Sequence, residues 1–212
     1  MNNTIIMKSL DRLYFEKQLW SEGFQRVMGL DEVGRGCLAG PVVAAGVIFK
    51  PNIKIAGITD SKKLSEKKRM DLSDQIKSKA EFWIIKEGTI SLINELNILW
   101  ASLQTMKKCA EHRGANAEYL LVDGNRYIDS LIPYTCLVKG DDRSLSIGAA
   151  SILAKVYRDN LMRKLHNEYP EFGWDKNVGY PTPKHKDALS IYGYTIYHRR
   201  SFKLGTNLVY KN

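Results

Sequence analysis

Cysteine is scarce in this chain. Cys37, Cys109 and Cys136 are the three present, odd in number and far apart. No CxxC pair or Cys/His cluster occurs, which argues against structural zinc and a disulfide framework and leaves reduced thiols. Long apolar runs are also missing: nothing approaches the roughly 20 residues that a membrane span needs. The N-terminal MNNTIIMKSLDRLYFEKQ holds no apolar core of a secretory signal. The expectation is a cytoplasmic protein that keeps off membranes. A GxSxG elbow and a GxxxxGK[ST] phosphate loop are both absent, so serine-hydrolase and P-loop chemistry drop out. His112, His166, His185 and His198 show no metal-ligand spacing.

What is present is ordinary for a globular domain. The 212 residues are 44% hydrophobic and 26% charged, with no internal repeat and no long linker. They suit one domain over 1–212. Lys and Arg outnumber Asp and Glu by 32 to 23, a net charge of +9. The excess is concentrated. Residues 176–212 carry Lys176, Lys184, Lys186, Arg199, Arg200, Lys203 and Lys211 against Asp187 alone, which is +6 of the +9. Tyr180, Tyr192, Tyr194, Tyr197, Phe202 and Tyr210 are interleaved with them. Such a stretch, about 180–212, suits an appendage that grips phosphates and stacks on sugars or bases. Aromatics in a core with solvated cations would read the same way.

Periodicity gives a coarse element order. Residues 8–22 place Leu10, Leu13, Tyr14 and Leu19 at helical spacing, with Gly23 as a stop. Val27–Leu30 is a short strand ending at Asp31, and VVAAGVIF over 42–49 is a second. A helix over 65–79, a strand over 82–89, a helix over 91–113, strands at 119–122 and 135–138, a helix over 147–169 and a short helix over 187–192 follow. The first two strands lie too close in sequence for a crossover and should pair antiparallel. The later helices should return the chain to give parallel neighbours. The fold class is then α/β, a mixed sheet flanked by helices. Gly148, Ala149 and Ala150 would let the long helix approach the sheet.

Acids stand at strand ends: Asp31 and Glu32 in GLDEVGRG, Asp123 in LLVDGNR, Asp141 and Asp142 in LVKGDDRS. In an open α/β sheet the carboxyl ends of strands face the ligand crevice. If the first and fourth strands are parallel neighbours, Asp31 and Asp123 sit side by side there. Gathered carboxylates repel, and a hard divalent cation such as Mg²⁺ or Mn²⁺ relieves them. Two such ions about 3.5–4 Å apart stabilise both oxygens of a phosphoryl displacement. A single strand-end acid is more often a turn or a helix cap, and Asp142 fits that role best. Glu32 is a geometric difficulty, because adjacent strand residues point to opposite faces. It joins the site only if the strand ends or bulges at Asp31. Gly34, Gly36 and Ala39 also match a GxGxx(G/A) dinucleotide fingerprint, but that must open a helix, and here a strand-like run follows. A bare loop that approaches a ligand closely, with Arg35 near phosphate, fits better.

These residues resemble the bacterial ribonuclease HII family. The resemblance lies in GLDEVGRGCLAGPVVAA, DSKKLSEKKR, ELNIL, LLVDGNR, VKGD, AASILAKVYRD, GYPTPKH and HRRSF, in order from residue 29 to 202. It implies a ribonuclease H-like fold, a five-stranded mixed sheet with helices and a small helical C-terminal extension. It implies endonucleolytic hydrolysis of the RNA strand of RNA–DNA hybrids, and nicking 5′ of single ribonucleotides in duplex DNA. Two-metal catalysis would leave 3′-hydroxyl and 5′-phosphate ends. It places the four metal-binding and catalytic acids on Asp31, Glu32, Asp123 and Asp141. It assigns 2′-hydroxyl reading to the backbone of Gly34, Arg35 and Gly36. Tyr180 would pack on the following deoxyribose, and Lys62, Lys155 and His185 would touch phosphate or substrate. A monomer is expected. Asp142 departs from the pattern and would cap the helix or perturb the metal. The sister family, ribonuclease HIII, fits less well: 30 residues precede Asp31, too few for its extra N-terminal domain, and its fourth acid is typically Glu. A non-catalytic nucleic-acid binder would share the basic tail but would not need the gathered acids. A nucleotide-cofactor enzyme is disfavoured by the strand after Gly40.

Overall fold

The computed structural model describes residues 11–127 and 130–202. Leu10, Lys203, Tyr210 and Lys211 lie outside those residues. One five-stranded sheet runs in the order β3-β2-β1-β4-β5, built from β1 (Val27–Val33), β2 (Val42–Ile48), β3 (Phe82–Gly88), β4 (Tyr119–Asp123) and β5 (Tyr134–Leu137). The helices are α1 (Tyr14–Ser21), α2 (Glu66–Lys79), α3 (Ile90–Ala110), the short α4 (Gly140–Arg143), α5 (Leu145–Glu168), the short α6 (Trp174–Asn177) and α7 (Pro183–Tyr192).

β1 pairs antiparallel with β2 and parallel with β4, and β4 is parallel to β5. One expectation fails: β3 is antiparallel to β2 although α2 lies between them. The reason is the segment after β2. Its Ile53, Ile55 and Ile58 pack on the α5 side of the sheet and carry the chain back towards Ser61 and Ser151. α2 then runs the other way, and the Glu81 N–H bonds the Ile48 carbonyl, where β2 ended.

Two cores cover the sheet. On one face Met28, Leu30, Leu120 and Val122 pack against Leu103, Met106 and Cys109 of α3. On the other, Val43, Ala45 and Val47 meet Leu72 and Ile76 of α2 and Ala149, Ile152 and Leu153 of α5. β2 is buried along its whole length, which is why its sequence lacks polar alternation. A third core joins α5 to the C-terminal segment through Met162, Phe172, Trp174, Ala188 and Leu189.

Helix ends follow local chemistry. The Ser65, Thr89, Ser144 and Thr182 hydroxyls accept from the N–H groups of Lys68, Leu92, Ile147 and His185. α3 is not one uninterrupted helix. Asn97 has φ 66° and ψ 169°, and its Oδ1 accepts from Leu99 N and Trp100 N at 3.0 and 3.3 Å, restarting the helix.

The close approach of α5 is enabled from the strand side. A Cβ on Gly29 would collide with the Ser146–Ile147 backbone. Gly148 instead makes room for the Arg12 guanidinium and the Asp141 carbonyl. Gly29→Ala is therefore expected to lower unfolding free energy by about 1–3 kcal/mol, measured by urea denaturation; unchanged stability would show that this contact does not limit packing.

Candidate active site

The β1–β4 register pairs Leu30 with Val122, so Asp31 and Asp123 follow as the next neighbours where the parallel pairing of the two strands ends. β1 neither ends nor bulges at Asp31; it continues to Val33. Asp31 and Glu32 therefore leave on opposite faces, contrary to the requirement read from the sequence. Asp31 turns towards α5 and the Ser151 hydroxyl. Glu32 turns towards α3, lining a cavity with Leu99, Leu103, Met106 and Asp123. Both remain within electrostatic reach of Asp123, because β4 stops there.

Asp123 Oδ1 accepts from Gly140 N at 2.7 Å, which ties the end of β4 to the start of α4. α4 carries Asp141, and Lys139 before it adopts a left-handed φ of 55°. Arg12, just before α1, donates to the carbonyls of Asp141, Asp142 and Ser144. The buried Glu16 accepts from Ser144 Oγ, Ser146 N and Ser146 Oγ at 2.6, 2.9 and 2.7 Å. The N-terminal helix thus holds the turn that presents Asp141.

The acids destabilise one another. Asp31 is 6% exposed, and burial, then the charges of Glu32 and Asp123, raise its carboxyl well above the usual range. Burial also raises Glu32, opposed by the Arg35 guanidinium 3.2 Å away. Asp141 is raised by burial and then by Asp123. Among the described residues no three or more His, Cys, Asp or Glu side chains are drawn into a closed metal cluster. The donor set still suits a hard cation: it is all oxygen, and Glu32 and Asp123 press on the buried Asp31 with like charge.

The rest of the surroundings bear on nucleic acid. Asp60 caps the turn Ser61–Lys63, and Ser61 Oγ lies 3.1 Å from Ser151 Oγ, so the DSKK segment reaches Asp31 through Ser151. Asp142 caps no helix; it binds Lys63 Nζ at 2.5 Å and Thr59 Oγ1 at 3.3 Å, clasping that segment, while its charge adds to the rise of Asp141. Lys62 is left exposed beside Asp141.

A family model described as Ribonuclease HII matches residues 28–205. The chain belongs to the ribonuclease HII family. The ribonuclease HII of Salinibacter ruber is 48% identical over 196 residues, 91% of this chain and 98% of that protein. In three dimensions the ribonuclease H2 of Pyrococcus horikoshii superposes with a TM-score of 0.73 at 26% identity, over 84% of this chain and 94% of that one. Bst-RNase HIII, solved with Mn²⁺, gives 0.63 at 21% identity over 84% and 67%, a likeness of fold. As a ribonuclease HII the protein is a type 2 ribonuclease H, an endoribonuclease of a metal-dependent family acting on nucleic acid.

Other residues singled out in the sequence fare differently within this ribonuclease HII. Tyr180 is 36% exposed, and a Cβ on Gly36 would lie 3.8 Å from its ring. Lys155 is held by Asp159 at 2.7 Å. His185 is a correction: it is 0% exposed, so it offers no atom to phosphate. Its Nε2 accepts from Trp174 Nε1 at 3.1 Å, leaving Nδ1–H to donate to the Tyr180 carbonyl at 2.9 Å. His198 Nδ1 accepts from Thr195 N, and its Nε2 lies 3.1 Å from His185 Nε2. Tyr194, Tyr197 and Phe202 pack on the third core, so of the tail aromatics described, Tyr180 and Tyr192 are the exposed ones. Sequence reasoning missed Glu16 and Arg12; an acid and a base four apart in an amphipathic helix read as surface.

Burial, then His185, lowers His198 from 6.5 to about 3. In the unfolded chain it takes up a proton near 6.5, so between those values the unfolded state binds more protons and stability falls as pH falls. The expected contribution is a loss of up to about 1.4 kcal/mol per pH unit below that point. Melting curves from pH 7 to pH 4 should show it, and His198→Gln should flatten the slope; equal slopes would refute the neutral-histidine reading.

Proposed function

We propose that this protein nicks 5′ of ribonucleotides embedded in duplex DNA, and cuts the RNA strand of RNA–DNA hybrids, leaving 3′-hydroxyl and 5′-phosphate ends. The observation that supports it is the convergence of Asp31, Glu32 and Asp141 on Asp123 at the open end of β1 and β4, next to the Gly34–Gly36 loop and Tyr180. Asp31, Glu32, Asp123 and Asp141 would hold two divalent cations, Mg²⁺ or Mn²⁺. When bound, these supply charge stabilisation to the attacking and departing oxygens of an in-line displacement.

The chain's own residues do the rest. Asp31, buried and repelled by Glu32 and Asp123, would hold a cation in place of a proton. The Gly140 amide orients Asp123 through Oδ1. The Gly34–Gly36 backbone, bare of side chains at both glycines, reads the 2′-hydroxyl that distinguishes RNA from DNA. Tyr180 packs on the deoxyribose that follows, so the pair selects an RNA-to-DNA junction. Exposed Lys62 and Arg200 meet backbone phosphates, with Lys155 a nearer, Asp159-tethered cation. The protein acts as a cytoplasmic monomer, with the basic segment from about 180 onward as its substrate-binding appendage.

The deciding assay uses duplex DNA with one ribonucleotide, an all-DNA control, and Mg²⁺, Mn²⁺ or chelator. A metal-dependent cut 5′ of the ribonucleotide with the control intact is expected; no cut by folded protein would overturn the reading. Asp31→Asn should lower the rate by at least about 10³-fold while duplex binding persists, as read by gel shift; an active purified variant would remove Asp31 from the metal site. Tyr180→Ala should reduce activity by about tenfold, the worth of one stacking contact, and spread cleavage away from the junction. Cut positions identical to the parent's on mixed RNA–DNA strands would count against that role.

A further inference from the structure

Two arginines lie where no nucleic acid can reach them. Arg158 of α5 is 0% exposed and Arg199 is 1% exposed, and among the described residues neither has a carboxylate partner. Buried cations are costly unless fully hydrogen-bonded. Arg199 Nη2 has no hydrogen-bond partner among the described residues, and all but one of the remaining bonds converge on one stretch, the loop joining β1 to β2.

Arg158 donates from Nε to the Pro41 carbonyl at 3.0 Å, from Nη2 to Ala39 at 2.9 Å and from Nη1 to Val178 at 2.8 Å. Arg199 donates from Nε to Gly40 at 2.9 Å, from Nη1 to Arg35 at 3.1 Å, and from its backbone N–H to Leu38 at 2.8 Å. The carbonyls of Arg35, Leu38, Ala39, Gly40 and Pro41 are thus all turned inward onto these two residues. Leu38 N–H in turn donates to Gly179, directly before Tyr180. Gly34 has φ +93°, and any Cβ there would strike the Arg158 guanidinium. The same guanidinium therefore grips the loop and the strand of chain that presents Tyr180.

We infer that Arg158 and Arg199 are positioning residues for ribonucleotide recognition, fixing the carbonyl-inward form of the 34–41 loop and so the gap between the Gly34–Gly36 backbone and the Tyr180 ring. This rests on the reading that those groups recognise the RNA-to-DNA junction. Turning the carbonyls inward removes acceptors from the face that meets phosphates. It also sets two positive charges behind that face, where low dielectric lets them act on a polyanion. Arg199 stays protonated, since burial brings it down only to about 10. The AASILAKVYRD and HRRSF motifs then serve one loop from two ends of the chain.

The test maps cut positions on a duplex whose one strand passes from several ribonucleotides into DNA. It also measures kcat and KM on duplex DNA with one ribonucleotide and on a continuous RNA–DNA hybrid. Arg199→Gln is expected to spread cleavage from the junction. It should lower kcat/KM on the single-ribonucleotide duplex by about tenfold relative to the hybrid, the value of one charge-assisted hydrogen bond. Arg199→Lys, which keeps the charge but loses the fork, should restore part of the loss. A general loss of folded enzyme would lower both substrates together and leave the cut pattern and the ratio intact. If Arg199→Gln does not fold, Arg199→Lys and Arg158→Lys carry the same comparison. A folded variant with the parent's cut pattern and substrate ratio overturns the inference. A parent enzyme that itself shows no junction preference instead overturns the recognition reading beneath it.

Discussion

Helix α5 lies on β1 at a separation that a side chain at position 29 would forbid, and most of the site depends on that approach. Its first turn, capped by Ser144 and bound by Glu16, sits behind Asp141. One turn on, Ser151 meets Asp31 and Ser61. Two turns further, Arg158 lies against Gly34 and Gly40. A single rigid element thereby sets the spacing between the acids, the lysine-bearing turn and the glycine loop. Packed interiors tolerate little relaxation, so an error at Gly29 would reach all three.

Charge is distributed unevenly around this helix, and the unevenness has a physical use. At one pole, carboxylates are gathered until burial and mutual repulsion lift their affinity for protons. That arrangement favours a divalent cation over water. A few residues along, guanidinium groups are buried and hydrogen-bonded to backbone carbonyls, with the Phe202 ring against Arg199. Between the poles runs the loop of Gly34 and Gly36, open to solvent at Arg35 and Gly36. The surface therefore presents gathered acids on one side of this loop and buried positive charge on the other.

Much of this was legible beforehand. The strand-end acids were visible because each closes an apolar run, and the condition on which Asp31 and Asp123 become neighbours, parallel pairing of β1 and β4, is met. The boundaries of the central helices and strands held within about three residues, since capping hydroxyls and glycine stops are local signals, while the first helix begins later and the last earlier than its spacing suggests. The failures share a cause. His185 and Arg199 carry polar side chains in a basic stretch and look like contact residues. Their burial depends on which chain segments cross them, and sequence spacing does not report that. The antiparallel β3 was missed because a return segment without regular structure did the work assigned to a helix.

The sequence by itself determined the α/β class through its periodicity and the family through its ordered motif blocks, and it showed acids at the ends of apolar runs and a glycine loop as candidates, because these are local features of residue chemistry and backbone freedom. The tertiary structure alone decided which face Glu32 takes, that Asp142 clasps Lys63 and Thr59, that α1 braces Asp141, and that Arg158 and Arg199 face inward. Each of those joins residues far apart in the chain. Such contacts arise only when packing brings distant segments together, and a buried ion's partners are chosen by that geometry rather than by its neighbours in sequence.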